Sequence, residues 1–163
     1  MIDRAKLLND LQALVRKLEA DLLERSDSFD VPEVGETLRS DYQIALQAKR
    51  TAQSYEELRS DSITQMASAW VLSGVFVRFL EDNQLVEPPM ISGVGERLQR
   101  ARDEHELYFR EHPKETDREY WLHGFERLAK LPGTREIFGT NNRIRELPNW
   151  LSGDAVGELL RFF

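Results

Sequence analysis

The sequence contains no cysteine, which excludes disulfide bonds, thiolate metal sites and a cysteine nucleophile. Proline and glycine are few and stand mostly between segments with helical periodicity. No segment alternates apolar and polar residues convincingly enough to predict a strand. A basic surplus is absent too, because the formal net charge is −7. The chain therefore has no overall attraction for nucleic acid, and any DNA contact needs a local basic patch or another part of a larger protein.

Targeting and membrane segments are not predicted either. The first residues are charged and amphipathic, unlike a signal peptide. The longest apolar run has about the length of a buried core helix and contains Arg78, so no membrane span or membrane partner is expected. The lack of cysteine suits a reducing compartment, and we expect a cytoplasmic protein. The 163 residues have the size of one domain.

Helical periodicity predicts an all-α fold, an irregular bundle of about six helices in a single domain, 1–163. Asp3 is the expected N-cap of the first helix, whose leucine stripe includes Leu11, Leu14 and Leu18. Ser54 and Glu57 form a capping-box pattern. The segments expected to be helical are 3–24, 32–50, 54–84 and 93–111, a helix from 116, one turn at 134–138 and a last helix from 152.

The helix at 54–84 is predicted to be the long central element. Its segment 69–83 is apolar on every face, and such a helix is expected to be surrounded by protein. Gly74 lies inside it and costs about 1 kcal/mol relative to alanine, which suggests close approach by another helix. Arg78 lies three and four residues before Glu81 and Asp82, within reach of both carboxylates. We interpret these three residues as a structural ion network, and an effector or phosphate site is the alternative.

Basic side chains offer candidate DNA contacts. Arg97, Arg100 and Arg102 fall on one predicted helix, and Arg143 and Arg145 fall in a late polar loop. We take Arg97, Arg100, Arg143 and Arg145 as the candidates for contact with phosphates. Acidic residues are interleaved with the helical group, so an ordinary solvated face is the other interpretation.

Catalytic and metal-binding patterns are missing from the sequence. His105 and His112 are seven residues apart, two helical turns, which is too far for one ion without a third partner. We therefore predict no catalytic, cofactor-binding or metal-binding residues. A hydrolase using these histidines with a metal is the weakest of the functions considered.

The last predicted helix carries four large apolar residues near its end, without a glycine cap or polar tail. This pattern predicts either a fragment of a longer protein or an end that docks onto another surface. The candidate interdomain docking residues are Leu159, Leu160, Phe162 and Phe163.

Several segments resemble one protein family. Segments 64–72 (TQMASAWVL), 76–83 (FVRFLEDN) and 109–113 (FREHP), with shorter matches at 1–4, 95–98 and 116–118, resemble the amino-terminal region of PglX-type proteins. The string at 76–83 is the most specific. The resemblance covers nearly the whole chain. It implies a large adenine-specific DNA methyltransferase of bacterial anti-phage systems of the BREX and phage-growth-limitation kind.

The family's S-adenosylmethionine loop and its Asn-Pro-Pro-Tyr-type motif lie downstream of this region, and this sequence contains neither. The resemblance therefore implies a non-catalytic helical module. The parent enzyme would use S-adenosylmethionine to methylate adenine N6. The implied partners are the downstream methyltransferase domain, DNA through the parent, and other defence-system proteins. The alternative function is a stand-alone adaptor or regulator that dimerises through the leucine stripe.

Overall fold

The computed structural model describes residues 3–147 and 149–163, and every regular element within them is helical. The predicted all-α bundle is confirmed. The helices number seven rather than about six, because the single turn expected at 134–138 is counted as a helix; a 3₁₀ turn, Arg143–Arg145, follows it. The α-helices are α1 (Arg4–Ser26), α2 (Pro32–Gln47), α3 (Tyr55–Asp82), α4 (Glu96–Glu111), α5 (Asp117–Ala129), α6 (Arg135–Phe138) and α7 (Gly153–Phe162).

Side-chain caps fix several helix starts where the sequence predicts them. The Asp3 carboxylate accepts the backbone N–H groups of residues 5 and 6 at 3.0 Å. At α3, the Glu57 carboxylate accepts the Ser54 backbone N–H at 2.8 Å, and the Ser54 hydroxyl accepts the Glu57 N–H at 3.3 Å. These bonds satisfy donors that a helix start leaves without intrahelical partners.

Three helix boundaries differ from the prediction because of positive φ angles. The third helix ends at Asp82 rather than at 84, because Gln84 has a φ angle of 57°. The fourth helix begins at Glu96 rather than at 93, because Gly93 and Gly95 have φ angles of 154° and 62°. The second helix ends at Gln47 rather than at 50, because Lys49 has a φ angle of 54°. Positive φ angles are incompatible with a right-handed helix.

Helix α3 is the central element, as predicted. It contacts α1, α2, α7 and the 3₁₀ turn. Its Trp70 ring lies 6.2 Å from that of Phe125 on α5, which in turn lies 4.9 Å from the ring of Phe138 on α6. From α1, Leu14, Leu18 and Leu22 enter the same core. Aromatic packing of this kind brings the outer helices onto the central one.

A close approach occurs at Gly74, but the approaching group does not belong to another helix as expected. A Cβ atom at this position would fall 2.2 Å from the Phe163 ring. The group that approaches belongs to the residue after α7 rather than to the body of a helix. Phe163 thus packs on the backbone of α3, where a larger residue than glycine would displace it.

The expectation that segment 69–83 is surrounded on every face is wrong. The side chains of Leu72 and Phe79 are 66% and 54% exposed, and Val75 is 38% exposed. By length and composition α3 is apolar enough to cross a membrane, and half of its most apolar stretch is buried inside the bundle. Leu72 and Val75 belong to the surface described next.

Candidate docking surface

An apolar groove of about 580 Å³ runs between α1 and α3. On α1 the groove is formed by Leu8, Leu11 and Val15, and Leu8 is 56% exposed. On α3 it is formed by Val71, Leu72 and Val75. The polar lining residues are Gln12, Arg16 and Ser68. We call this surface the α1–α3 groove.

The groove exists because the apolar face of each helix is wider than the part of the helix that packs against the core. Leu14 and Leu18 on α1 are 5% and 1% exposed, so they belong to the interior. Leu8, Leu11 and Val15 follow each other at spacings of three and four residues and form a second apolar row on the same helix. The stripe predicted from the sequence is thus divided between the core and the groove.

The groove suits binding rather than catalysis. Among the described residues it offers apolar side chains and three polar ones, none of them a nucleophile paired with a base. Adjacent exposed apolar side chains of this kind occur at sites where another protein segment packs. A shallow channel between two helices is the form that receives an amphipathic helix.

The predicted ion network is only partly formed. Arg78 donates from Nε to Asp82 at 2.7 Å, and its guanidinium also donates to the Phe163 carbonyl oxygen. Glu81 is not a partner of Arg78, so this part of the prediction is wrong. The Glu81 side chain is almost fully buried and points to the chain segment after α3.

Glu81 binds the backbone of the segment that follows α3. Its carboxylate accepts the N–H groups of Met90 at 2.5 Å, Ile91 at 3.1 Å and Ser92 at 2.7 Å. Burial raises the pKa of Glu81 above its ordinary value, and these three donors and Arg97 act in the opposite direction. The sequence spacing predicted that the Glu81 carboxylate pairs with Arg78. It instead accepts three backbone N–H groups that have no other acceptor.

The deeply buried arginine is Arg59, which the sequence analysis missed. Arg59 is 7% exposed and donates from Nε to the Ser26 hydroxyl at 3.0 Å. Its guanidinium pairs with Asp27 and, at 3.3 Å, with Glu56. The sequence does carry one indication that Arg59 is buried. It lies four residues before Ile63, and this spacing places both residues on the buried face of α3.

The candidate DNA contacts are mostly neutralised. Arg97 is largely buried, pairs with Glu87 and donates to a backbone carbonyl, while Arg100 pairs with the same Glu87 at 3.1 Å. Both arginines hold the pKa of Glu87 below its ordinary value, Arg97 most strongly. Arg145 pairs with Glu126 at 3.1 Å. Arg143 is exposed and has no acidic partner within the described residues.

The two histidines bind separate carboxylates. His105 Nε2 lies 2.8 Å from Asp117, and His112 Nδ1 lies 3.6 Å from Glu115. Within residues 3–147 and 149–163, no three histidine or acidic side chains are placed to share a metal ion.

The candidate docking residues of the last helix divide between the interior and the surface. Leu159 is fully buried and belongs to the core, which corrects its assignment as a docking residue. Phe162 is 37% exposed, and Leu160 and Phe163 are half-buried. Only the last three keep surface that another domain could cover.

Comparison with known proteins gives one strong similarity. Over 165 aligned positions, covering the whole chain, the sequence is 36% identical to the adenine-specific methyltransferase PglX of Streptomyces coelicolor. The predicted resemblance to PglX-type proteins is confirmed. The chain spans 13% of the length of PglX, consistent with an N-terminal region of a PglX-type protein. No family model and no solved structure matches the chain.

Proposed function

We propose that this chain is a non-catalytic helical module of a DNA adenine-N6 methyltransferase of a BREX-like anti-phage system, acting in the cytoplasm. The observation that carries the proposal is the end-to-end similarity to PglX, most of whose length lies outside the matched region. Methyl transfer, S-adenosylmethionine and the main DNA contacts belong in this proposal to the remaining polypeptide. The module supports that polypeptide by docking onto it.

The α1–α3 groove is the docking site in this proposal, and its occupant is an apolar segment of the same polypeptide. Leu8 and Leu72 are more than half exposed although both are large apolar side chains. A tethered partner acts at a high effective concentration, so a groove of this size suffices to hold it. Phe162 on α7 offers a separate exposed apolar side chain, and Arg100 and Arg143 remain the accessible candidates for DNA contact. Other defence-system proteins are a second class of partner.

The first test concerns catalysis and gene organisation. The purified chain, incubated with radiolabelled S-adenosylmethionine and unmethylated host DNA, is expected to incorporate no methyl groups. The reading frame is expected to continue past residue 163 into a methyl-donor loop and an Asn-Pro-Pro-Tyr-type motif. Incorporation above background, or a stop codon after residue 163, contradicts the proposal.

The second test concerns docking in the longer polypeptide. The double substitution Leu8→Ser/Leu72→Ser is expected to release the module, so that limited proteolysis separates it from the methyltransferase domain faster than in the unmodified protein. The matched control is Leu46→Ser/Leu107→Ser, which changes two other exposed leucines that do not line the groove. Equal cleavage rates for the two variants contradict docking through the groove.

The stand-alone adaptor makes a different prediction. A dimer would have to use Leu8 and Leu11, because Leu14 and Leu18 are buried in the chain's own core. Light scattering of the isolated chain is expected to give the monomer mass. A doubled mass that Leu8→Ser/Leu72→Ser returns to the monomer value would favour a second copy as the occupant.

A further inference from the structure

A second cleft, of about 510 Å³, lies where α3, the segment at 90–93, α4 and α7 meet. Its charged and titratable lining residues are Arg78, Arg102, Arg161 and His105, and within residues 3–147 and 149–163 no aspartate or glutamate lines it. The whole chain has 29 acidic and 22 basic residues, so an all-basic lining runs against its composition. We call this site the arginine cleft.

Neighbouring clefts do not share this charge separation. The cleft between α1 and α7 combines Lys17 and Arg161 with Asp10 and Glu158. The cleft beside α6 combines three basic residues with two glutamates. In both, opposite charges among the lining residues lower the attraction for an anion. In the arginine cleft the acidic partners, Asp82 of Arg78 and Asp117 of His105, lie outside the lining, and Arg102 and Arg161 are unpaired within the described part of the chain.

The three arginines come from three different helices. Arg78 on α3 is oriented by Asp82 and by the Phe163 carbonyl, and its side chain is 38% exposed. Arg102 on α4 and Arg161 on α7 are exposed and form no ion pair or side-chain hydrogen bond within the described part of the chain. Their guanidinium donors are therefore open to an incoming ligand.

Apart from Ser92, the remaining lining of the arginine cleft is apolar. It consists mainly of Met90, Ile91, Leu98, Leu160 and Phe163. Arginine presents paired N–H donors that match phosphate oxygens. A wall of aliphatic and aromatic side chains suits the flat face of a base. The volume falls in the range of small-molecule sites, about 300–1,000 Å³.

We propose that the arginine cleft binds a nucleoside phosphate, with Arg102 and Arg161 on the phosphate oxygens and the apolar wall against the base. The source of this group is either a free nucleotide or the phosphorylated end of a DNA strand. This site shares no lining residue with the α1–α3 groove, so its test does not depend on the docking proposal.

The test is calorimetric titration of the purified chain with three probes: ATP without metal, inorganic pyrophosphate, and a short DNA duplex with 5′ phosphates. Arg102→Gln/Arg161→Gln is expected to weaken binding about tenfold or more, since each charge-assisted hydrogen bond contributes substantially. The control Arg4→Gln/Arg50→Gln removes two other exposed arginines and is expected to bind like the unmodified chain. Thermal melting checks that each variant is folded.

Binding of ATP that depends on Arg102 and Arg161 supports a free nucleotide, and equally dependent binding of the duplex alone supports a strand end. If pyrophosphate, which has no base, binds as tightly as ATP, the apolar wall does not bind the base and that part of the proposal is overturned. No binding of ATP or duplex, or binding unchanged in the variant, overturns the proposal. A measurement without substitutions is NMR of methyl groups: the bound probe is expected to shift Leu98 and Leu160 but not Leu8. Shifts at Leu8 instead would contradict it.

Discussion

The two halves of α3 show opposite relations between sequence and burial. The first half, 55–67, carries charged residues, yet Arg59 and Ile63 are 7% and 4% exposed. The second half, 68–82, is the more apolar, yet Leu72 and Phe79 are more than half exposed. Apolar character thus indicates which residues favour burial, whereas the number of neighbouring helices decides which of them are buried. An apolar face left open is expected where a further segment packs.

Among substitutions in the two halves of α3, the largest loss of stability is expected at Glu81 in the second half. Glu81→Ala leaves the N–H groups of Met90, Ile91 and Ser92 without their acceptor. Each orphaned donor costs about 1–3 kcal/mol, so we expect the free energy of unfolding to fall by roughly 4 kcal/mol in urea denaturation. The exposed Glu106→Ala is the control, with an expected change of at most about 0.5 kcal/mol. Equal losses would contradict the anchoring role of Glu81.

The next effect compares one arginine from each half of α3. Arg59→Ala removes the buried guanidinium, its packing and its hydrogen bond to the buried Ser26 hydroxyl, whereas Asp27 is more than half exposed and regains water, so we expect a loss of about 2 kcal/mol. Arg78→Ala is expected to cost less than about 1 kcal/mol, because its side chain and that of Asp82 are more than one-third exposed. Urea denaturation measures both. A greater loss of stability for Arg78→Ala than for Arg59→Ala would contradict the conclusion that Arg59 is the more deeply buried arginine.

A loss of stability of similar or smaller size tests the exposed apolar face of α3, by comparing the adjacent residues Val71 and Leu72. Val71→Ala is expected to destabilise the isolated chain by about 2 kcal/mol, because Val71 is 3% exposed. Leu72→Ala is expected to change the free energy of unfolding by less than about 0.5 kcal/mol, because Leu72 is 66% exposed. Thermal denaturation of the two variants is the measurement. Similar losses would show that the groove is closed in solution.

The smallest effect concerns two carboxyl groups near opposite ends of α3. The Ser54 backbone N–H and then its hydroxyl lower the pKa of Glu57, whereas burial raises the pKa of Glu81. Glu57 therefore contributes stability above its ordinary pKa of 4.5, and this contribution disappears as the pH falls through the folded value. Glu81 has the opposite sign: its contribution is present below the unfolded pKa and is lost as the pH rises through the folded value.

Titration by NMR of the Glu57 side chain measures the first of these shifts. Ser54→Ala removes the hydroxyl donor but keeps the backbone N–H, so the pKa of Glu57 is expected to rise part of the way to its ordinary value. The Glu81 resonance in the same sample is the internal control and is expected to be unchanged. A Glu57 pKa that does not move would rule out the hydroxyl as a cause.

Local signals were readable from the sequence, and tertiary ones were not. The Ser54–Glu57 capping box depends on neighbours three residues apart, so its pattern predicts the helix start. Glu81 binds backbone groups nine to eleven residues later in the chain, and no side-chain pattern marks that contact. The sequence predicted that Arg97 is available for contact with DNA, but an ion pair with Glu87 from the preceding loop neutralises its charge.

The α1–α3 groove was also beyond prediction from the sequence. Leu8, Leu14 and Leu18 belong to one leucine-rich pattern, yet only the last two enter the core. Which edge of such a pattern stays open depends on where the other helices pack. The sequence could therefore identify the helix that carries the surface but not the residues that form it.

Helix α3 lines both the α1–α3 groove and the arginine cleft. Val75 borders the first and Arg78 borders the second, less than one helical turn apart. A hydrogen-bonded helix is stiff over so short a distance. A small tilt of this part of α3 that widens one site must therefore move the wall of the other, so the two sites share a single mechanical element.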